Sequence, residues 1–559
     1  MYDLRREAWI PWRRRSGIVE WGPPALLVDR IEADPVAAFA APRPDFDGAL
    51  HELMIGLLTI ALQPADEQEW NARWTQPPTF EALQSALDAL PFAFDLEGDG
   101  PRFFQDVSAA ELADFEAGPI EQLLIETPGD QTARLNKDLF VKRSRVERVG
   151  RPAAALALLT LQTYAPSGGQ GHRTSLRGGG PLTTLVDPRE ETVGPDGSLW
   201  RKLWANVETR MQWTNRMPPG APTALEAAFP WLAPTRASGK NGGTPTSPSD
   251  AHPLQAYFGL PRRIRLEFGG RGRCDLTGIE DDVTAVGFRM RNHGVQYAGW
   301  RHPLSPYYRQ KVDDEWLPVH GQPGGVGWRD WLALTLRDAR GGLREPASAV
   351  AAFNRRGATI GLTSYRLHAF GYDMDNMKAR GWTEAVLPVF VVDDEEKQAL
   401  LFDTASSLTN GTGIAGTALL GAVKRTLFQR PDEARGDLGQ VRLDLWAATE
   451  HPFYDVMHAV ASPSLATEGA VVMADGLRRA FAGVLLERSF AVFDQWCPGA
   501  GLPADVLRRR VSARYDLART LRGYSKLGEK MLDALRVPQP GGRSAERAAR
   551  KRSRQEATA

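Results

Sequence analysis

The hydrophobic pattern changes character along the chain. Up to about residue 392, short apolar runs alternate with turns rich in Pro, Gly and Trp. Three amphipathic or apolar helices stand out there, at 47–62, 79–90 and 153–163, and PRRIRLEF at 261–268 predicts a strand that runs into a hairpin-like turn. From residue 393 the period becomes helical, with candidate helices at 394–408, 412–429, 437–461, 467–495 and 503–535.

This pattern predicts an α+β protein with two folded domains. Residues 1–392 form a large mixed α/β domain, and residues 393–537 form a C-terminal antiparallel bundle of the four-helix type, because long amphipathic helices are joined by short loops. Residues 538–559 are basic and poor in hydrophobic residues, which predicts a disordered tail.

Composition narrows the compartment and the class of partner. The 559 residues carry a formal net charge of zero, so any contact with nucleic acid has to come from local basic patches. Two cysteines argue against a disulfide framework, and the N-terminus lacks the apolar region of a signal peptide. The most apolar windows, at 52–62 and 153–162, are too short to cross a bilayer. We expect a cytoplasmic protein without a membrane partner.

Two glycine clusters bracket a cationic stretch in the segment 167–186. The first comprises Gly168, Gly169 and Gly171, and the second spans 178–180, with HRTSLR between them. Glycine lets a backbone approach another surface closely, and Arg173 and Arg177 favour phosphate. The spacing fits neither a P-loop nor a dinucleotide-binding turn. The segment is either a mobile surface loop or a loop that closely approaches a polyanion, in which case a bulky residue at Gly171 would block binding and leave the fold intact.

A second basic stretch precedes the glycine loop. Residues 134–151 hold seven basic side chains against Asp138 and Glu147. They form either a solvated basic face or a loop that touches phosphates. The turn after PRRIRLEF adds Arg271 and Arg273.

Enzymatic signatures are missing from the sequence. It contains no HExxH, no CxxC pair, no GxSxG and no Walker A lysine. We therefore expect no catalytic residue, no metal, no cofactor and no enzyme. The alternative is a stand-alone enzyme or binding protein that holds an anionic substrate with Arg173, Arg177 and His302, although a histidine flanked by prolines and aromatics is more often structural.

Five stretches occur in the order found in one protein family. They are AWIPW at 8–12, FFQDV at 103–107 followed by LNKDLF at 135–140, PSGGQGHRTSLRGGGPLTTLV at 166–186, PRRIRLEF at 261–268 and WRHPLSPYY at 300–308. Together they resemble the CasA family, the large subunit of the type I-E CRISPR surveillance complex, Cascade.

The resemblance implies a DNA-binding subunit that acts beside a guide RNA. Such a subunit recognises the protospacer-adjacent motif (PAM) in double-stranded target DNA, helps to open the duplex for R-loop formation and supports recruitment of a helicase–nuclease. Its partners are the other Cascade subunits with their guide RNA.

The resemblance also assigns roles to individual residues. The implied DNA or PAM contacts are Gly168, Gly169, Gly171, Arg173 and Arg273. Two further residues, Asp375 and Asn376, lie in a turn that wedges the duplex apart. A loop that contacts the DNA backbone or the guide-bound complex contains Asn136, Lys137, Lys142, Arg143 and Arg145. Two departures stand out. The family more typically has amides at the wedge, where this chain has Asp375, and a CxxC-like cluster of some members is reduced to Cys274, which argues against zinc.

Overall fold

The computed structural model describes most of the chain. The described residues are 1–108, 114, 117–129, 132, 134–135, 145–169, 171–190, 192, 194–239, 244–337, 342–375, 378–392, 394–434, 436–462, 464, 466–501 and 503–540. Of the residues singled out from the sequence, Asn136, Lys137, Lys142, Arg143 and Asn376 lie outside these ranges, as does most of the expected tail.

The chain divides into two compact units. The first comprises 1–325, 337–353 and 365–386, and the second comprises 326–336, 354–364 and 387–559. The second unit therefore takes in two short segments that precede the boundary at residue 392 expected from the sequence, and that boundary stays a prediction.

The elements of the described residues are numbered here in chain order. The helices are α1 Pro44–Leu62, α2 Glu67–Thr75, α3 Phe80–Asp88, α4 Arg151–Tyr164, α5 Leu199–Ala205, α6 Arg210–Thr214, α7 Trp328–Thr335, α8 Ser348–Thr359, α9 Glu395–Leu427, α10 Gln440–Ala461, α11 Thr467–Trp496, α12 Ala504–Leu521 and α13 Lys526–Ala534. The strands are β1 Ile10–Arg14, β2 Val19–Gly22, β3 Val36–Phe39, β4 Gly118–Pro119, β5 Val149–Gly150, β6 Thr183–Asp187, β7 Arg263–Gly269, β8 Gly272–Arg273, β9 Glu280–Asp281, β10 Thr284–Arg291, β11 Tyr307–Tyr308, β12 Leu317–Pro318, β13 Arg344–Glu345, β14 Ser364–Asp375 and β15 Lys378–Phe390.

Small sheets and two buried helices build the first unit. The sheets have the strand orders β2-β1-β3, β4-β10-β5 with β7 also paired to β10, β12-β11-β13, β15-β14-β6 and β8-β9. Helices α1 and α4 pack against each other, and almost every apolar side chain of both is buried. The three helices expected from periodicity are present as α1, α3 and α4, and Thr79 caps α3 by accepting from the Ala82 amide at 3.2 Å.

Helices dominate the second unit. Helix α9 packs against α10, α11, α12 and α13. Trp328 of α7 packs there against Phe453 of α10, with ring centroids 4.5 Å apart. This helical unit and the small sheets of the first confirm the predicted α+β class.

Two helix boundaries in this unit differ from the sequence prediction. The break expected near residue 410 does not exist, and α9 continues through Gly411, where a Cβ would overlap the side chain of Leu535. Glycine is therefore required there by close packing and not by a turn. Conversely, the predicted helix 503–535 is broken at Gly523, whose φ of +86° is left-handed.

Within the part of the chain that the structure describes, no single helix is long and apolar enough to span a membrane, and only the pair α1 and α2, bent by 115°, meets the length and composition limits together.

Candidate nucleic-acid interface

The tip of the glycine loop is exposed backbone. Gly168 and Gly169 are both exposed, and Gly169 has a φ of +102° with no atom within 4 Å of the place where a Cβ would stand. The turn is closed by the His172 amide, which donates to the Gly169 carbonyl at 3.2 Å. At its base, the Ser175 amide donates to the Ala165 carbonyl at 3.1 Å. At Gly168 and Gly169 the tip thus presents main chain to solvent.

Gly171 has a different environment from the tip. Its φ is +82°, its carbonyl accepts from the His293 amide at 2.8 Å, and a Cβ would stand 2.7 Å from the Cβ of Asn292. A side chain at this position would collide with Asn292, which directly follows β10. The expectation that a bulky residue at Gly171 leaves the fold intact is therefore wrong.

The second glycine cluster joins the loop to the β14–β15 hairpin. A Cβ at Gly180 would overlap Met374 of β14, and one at Gly178 would stand 3.0 Å from the His320 ring. The Gly321 amide also donates to the Gly180 carbonyl, at 3.4 Å. Because these contacts need bare backbone, the cluster seats the glycine loop close to the end of β14.

The two arginines of the glycine loop have separate roles. Arg173 is partly buried, and its guanidinium donates to Ser238 Oγ at 2.6 Å and to the Gly239 carbonyl at 3.2 Å. Arg177 is 4% exposed and forms an ion pair of 2.6 Å with Glu52 of α1. Sequence reasoning offered both for phosphate, but the structure leaves only Arg173 near the surface.

Glu52 is the centre of a buried polar network beneath the loop. Tyr164 and Thr183 donate to its Oε1 at 2.8 and 2.6 Å, and His302 Nε2 lies 3.7 Å from its Oε2. Burial holds the pKa of His302 well below its ordinary value, so this ring is neutral. His302 is structural, and with Arg177 it is removed from the anionic-substrate site considered as the alternative.

The β14–β15 hairpin lies next to the second glycine cluster. Asp375 is exposed at the end of β14, and Asn376, the other expected wedge residue, is outside the described residues. Arg380 of β15 pairs with Asp373 at 2.6 Å and lies 3.7 Å from Asp375. The arginine therefore offsets the acidic charge that distinguishes this turn.

Sequence reasoning missed the residues at the end of β10. Asn292 is exposed and His293 partly buried, directly beside Gly171, and Arg291 precedes them. His293 has a φ of +66°, and its carbonyl accepts from the Ser238 amide at 3.1 Å. The signal available in the sequence was the Asn-His-Gly run after a strand, since Asn, His and Gly tolerate left-handed backbone.

Arg273 occupies the opposite end of β10. Its Nε donates to the Gly278 carbonyl at 2.9 Å in the β8–β9 hairpin, which adjoins the first residue of β10. Strand β10 spans eight residues, roughly 23 Å at about 3.3 Å per step, and it separates this hairpin from the residues that contact Gly171. The structure does not bring Arg273 to the glycine loop.

The β8–β9 hairpin instead meets the end of the basic stretch. Asp275 Oδ2 accepts from the amides of Glu147 and Arg148, at 2.8 Å each. Arg145, Arg148, Arg271 and Arg273 are all exposed here, alternating with the exposed acids Glu147, Glu280 and Asp282.

Metal ligands are not grouped within the ranges that the structure covers: no set of three or more His, Cys, Asp or Glu side chains could hold an ion there. Cys274 is buried.

A family model agrees with the motifs. The model described as CRISPR-associated protein Cse1 matches residues 3–482, which is most of the chain. The chain belongs to the Cse1 family. This confirms the CasA resemblance drawn from the five motifs, since CasA and Cse1 name the same protein in a solved structure from Thermus thermophilus.

Solved Cse1 structures share the fold over nearly their whole length. A CasA structure from Thermus thermophilus is 18% identical with a TM-score of 0.64, covering 92% of this chain and 99% of that one. Cse1 of Thermobifida fusca is 16% identical with a TM-score of 0.66, covering 96% and 98%. A chain of a structure described as a CRISPR RNA-guided surveillance complex is 17% identical with a TM-score of 0.61, covering 92% and 99%.

In this Cse1 protein the residues expected to bind DNA fall into two places. Gly168, Gly169, Gly171 and Arg173 lie in one loop, with Asp375 beyond its second glycine cluster and Asn292 against its first. Arg145 and Arg273 lie together at the far end of β10.

Proposed function

We propose that this protein is the large subunit of a type I-E Cascade complex and that it recognises the PAM in double-stranded target DNA. Its partners are then the other Cascade subunits with their guide RNA, the target duplex and a helicase–nuclease that the assembled complex recruits. Membership of the Cse1 family and the fold shared with a chain of an RNA-guided surveillance complex support this proposal. In RNA-guided recognition, base pairing reads the target sequence while protein reads only a short duplex motif.

The observation that carries the proposal is the convergence of three elements. The exposed tip Gly168–Gly169, the end of β10 at Asn292 and the β14–β15 turn after Asp375 are joined by the packing of the two glycine clusters. Bare backbone can enter the minor groove, which is only about 6 Å wide. In this proposal the β14–β15 hairpin beside the loop opens the duplex once the groove is held.

In this proposal the bases are contacted by the residue that follows β10. Asn292 is exposed beside Gly171, and its amide can donate to the acceptors that all base pairs present in the minor groove. Readout there is largely limited to A·T against G·C, so a subunit of this kind tolerates several related motifs.

Phosphate contacts belong to the other end of β10 and to Arg173. Arg145 and Arg273 are exposed at the end of β10 away from the loop, where they can hold the duplex backbone at a second point. This changes the role first expected of Arg273 from base contact to backbone contact. Acidic neighbours on that surface limit how strongly it attracts DNA in general.

The wedge role of the hairpin depends on charge as well as position. Asp375 would be repelled by phosphates, and Arg380, which pairs with Asp373 and lies near Asp375, reduces that repulsion. We therefore propose that Asp375 faces base edges and that Asn376 supplies the amide expected at the wedge.

The experiment compares two substitutions at Gly169 in the reconstituted complex. Gly169→Ala and Gly169→Trp share the strain of a positive φ, but only Trp adds bulk, and neither meets a described atom within 4 Å of its Cβ. We expect Trp to abolish PAM-dependent binding of duplex DNA and Ala to retain most of it, with equal assembly of both complexes.

Equal binding by the two variants would contradict the groove approach. Recruitment is tested on the same complexes by capture of the helicase–nuclease on target DNA, which should follow target binding across the pair.

A further inference from the structure

A line of short hydrogen bonds connects α5 to the base of the β14–β15 hairpin. Lys202 Nζ lies 2.6 Å from His368 Nδ1, and His368 Nε2 lies 2.6 Å from Glu384 Oε1. Lys202 is 4% exposed and His368 8%, whereas the Glu384 side chain is 51% exposed. The line therefore runs from the interior through β14 to the surface of β15.

The bonding pattern fixes the protonation of the ring. The hydrogen bond to His368 lowers the pKa of Glu384, which therefore accepts as a carboxylate, so the proton of the neutral ring is on Nε2 and His368 Nδ1 accepts from Lys202. Burial lowers the pKa of His368 to about 4, in keeping with a neutral ring. Burial also lowers the pKa of Lys202, to about 7, against the opposing effect of Asp187, whose carboxylate is 4.0 Å away.

A cavity lies beside this line. Its volume is about 200 Å³, and its wall includes Phe370 and Trp382 of the hairpin as well as His368 and Glu384. Side chains that face empty space lose the dispersion contacts that a packed neighbour would give. Trp382 packs on Gly48 of α1 and against the Tyr164 ring, and the polar bonds add to this apolar attachment of the hairpin.

The support from neighbouring strands ends close to the same level. Strand β6 pairs with β14 from Arg366 to Phe370, and the hairpin then continues to Asp375. Beyond Phe370 the hairpin is held by a bridge between Asp373 and Gly321, by the second glycine cluster against Met374 and by the Tyr372 hydroxyl, which donates to Asp45 Oδ2 at 2.6 Å. The orientation of the turn depends on how firmly the hairpin is held between these points.

We propose that Lys202, His368 and Glu384 form a positioning relay that holds the β14–β15 hairpin in one orientation, so that the turn after Asp375 meets the duplex ready to open it. This rests on the proposed wedge function of the turn. None of the three residues touches DNA; they act through the hairpin.

The test uses Glu384, whose half-exposed side chain can be changed without burying a new group. Glu384→Ala removes the acceptor for His368 Nε2, and Glu384→Gln restores an acceptor oxygen. Val386→Ala is the matched control, since Val386 is exposed on the same strand. Each variant is prepared as the full chain in the assembled complex.

The first readout is hydrogen exchange of the hairpin amides in the complex without target. We expect roughly tenfold faster exchange across 366–384 for Glu384→Ala, the lower part of the range for losing a hydrogen bond to a charged group. Glu384→Gln and Val386→Ala should stay close to the original protein. Unchanged exchange in Glu384→Ala overturns the relay, whatever the results for motif binding and duplex opening.

The second readout separates opening from binding. A duplex that carries the motif but does not match the guide measures binding alone, and a matched duplex with 2-aminopurine beside the motif measures opening. We expect Glu384→Ala to slow opening and to leave motif binding unchanged, with recovery in Glu384→Gln. Faster exchange with normal opening would overturn the link between the relay and the duplex, and loss of motif dependence in the unaltered complex would instead refute the proposed function.

Discussion

The buried pair of Glu52 and Arg177 offers a direct test of what the glycine loop is built on. Their side chains are 4% and 3% exposed, and Arg177 Nη2 donates to Glu52 Oε2 at 2.6 Å. Glu52→Gln keeps an oxygen for Tyr164 and Thr183 but removes the carboxylate charge and can turn an amide N–H toward the guanidinium. Because one partner of a buried pair is left uncompensated, we expect the free energy of unfolding to fall by about 3–5 kcal/mol.

The assay is urea unfolding of the full chain, completed as a double-mutant cycle with Arg177→Met. Each single variant buries one uncompensated charge, whereas the double variant buries none, so its stability should lie closer to that of the original protein than either single variant. An additive cycle, or a change below about 1 kcal/mol for Glu52→Gln, would refute the buried-pair reasoning. Loss of target binding in Arg177→Met with unaltered stability would contradict a role for Arg177 in supporting the loop from the interior.

Three further outcomes follow from single features of the two units. Arg145→Ala should lower the slope of log affinity against log salt by about 0.9, one phosphate contact on duplex DNA, as measured by titration at several salt concentrations. Burial raises the pKa of Asp47 from 3.8 to about 7, so between these pH values the folded state binds a proton that the unfolded state has lost. The free energy of unfolding therefore declines as the pH rises from about 4 to about 7. Asp47→Asn keeps the acceptor for the Ala41 amide and should remove that decline in unfolding curves measured across this pH range. Gly411→Ala should lower the melting temperature by overlap with Leu535, and the double variant with Leu535→Ala should lose less than the sum of the two single losses, because the smaller side chain removes the overlap; additive losses would contradict the close approach.

Local periodicity was enough to predict most elements of this fold. Helices α1, α3 and α4 and strand β7 each carry their pattern within a dozen or so residues, and the glycine clusters mark their own loop. The helix prediction that failed depended on a partner far away in the sequence. The close packing that α9 makes at Gly411 involves Leu535, which is far away in sequence, so the local pattern was divided into two helices at 394–408 and 412–429.

The candidate site shows the same limit for charged residues. Arg177 lies in a cationic run and looked available for phosphate, yet its partner Glu52 is 125 positions away. Arg263, expected on a basic strand, is likewise buried in an ion pair with Asp106, 157 positions away. A sequence pattern gives the charge of a residue but not its partner, and burial of the pair decides whether the charge faces DNA.

The division of the glycine loop into an exposed tip and a buried base suits a loop that must bind through its backbone. Gly168 and Gly169 carry no side chain that could be held in place by packing, so the tip cannot order itself. The tip is ordered by the buried base of the loop, where Ser175 and Arg177 lie in the interior. There the hydrogen bonds of Glu52 connect the loop base to α1, α4 and β6. A loop that is already ordered loses little entropy when it meets DNA, and more of its contact energy is then available as affinity. The polar core beneath the loop is therefore part of how the interface binds, although none of its side chains reaches the surface.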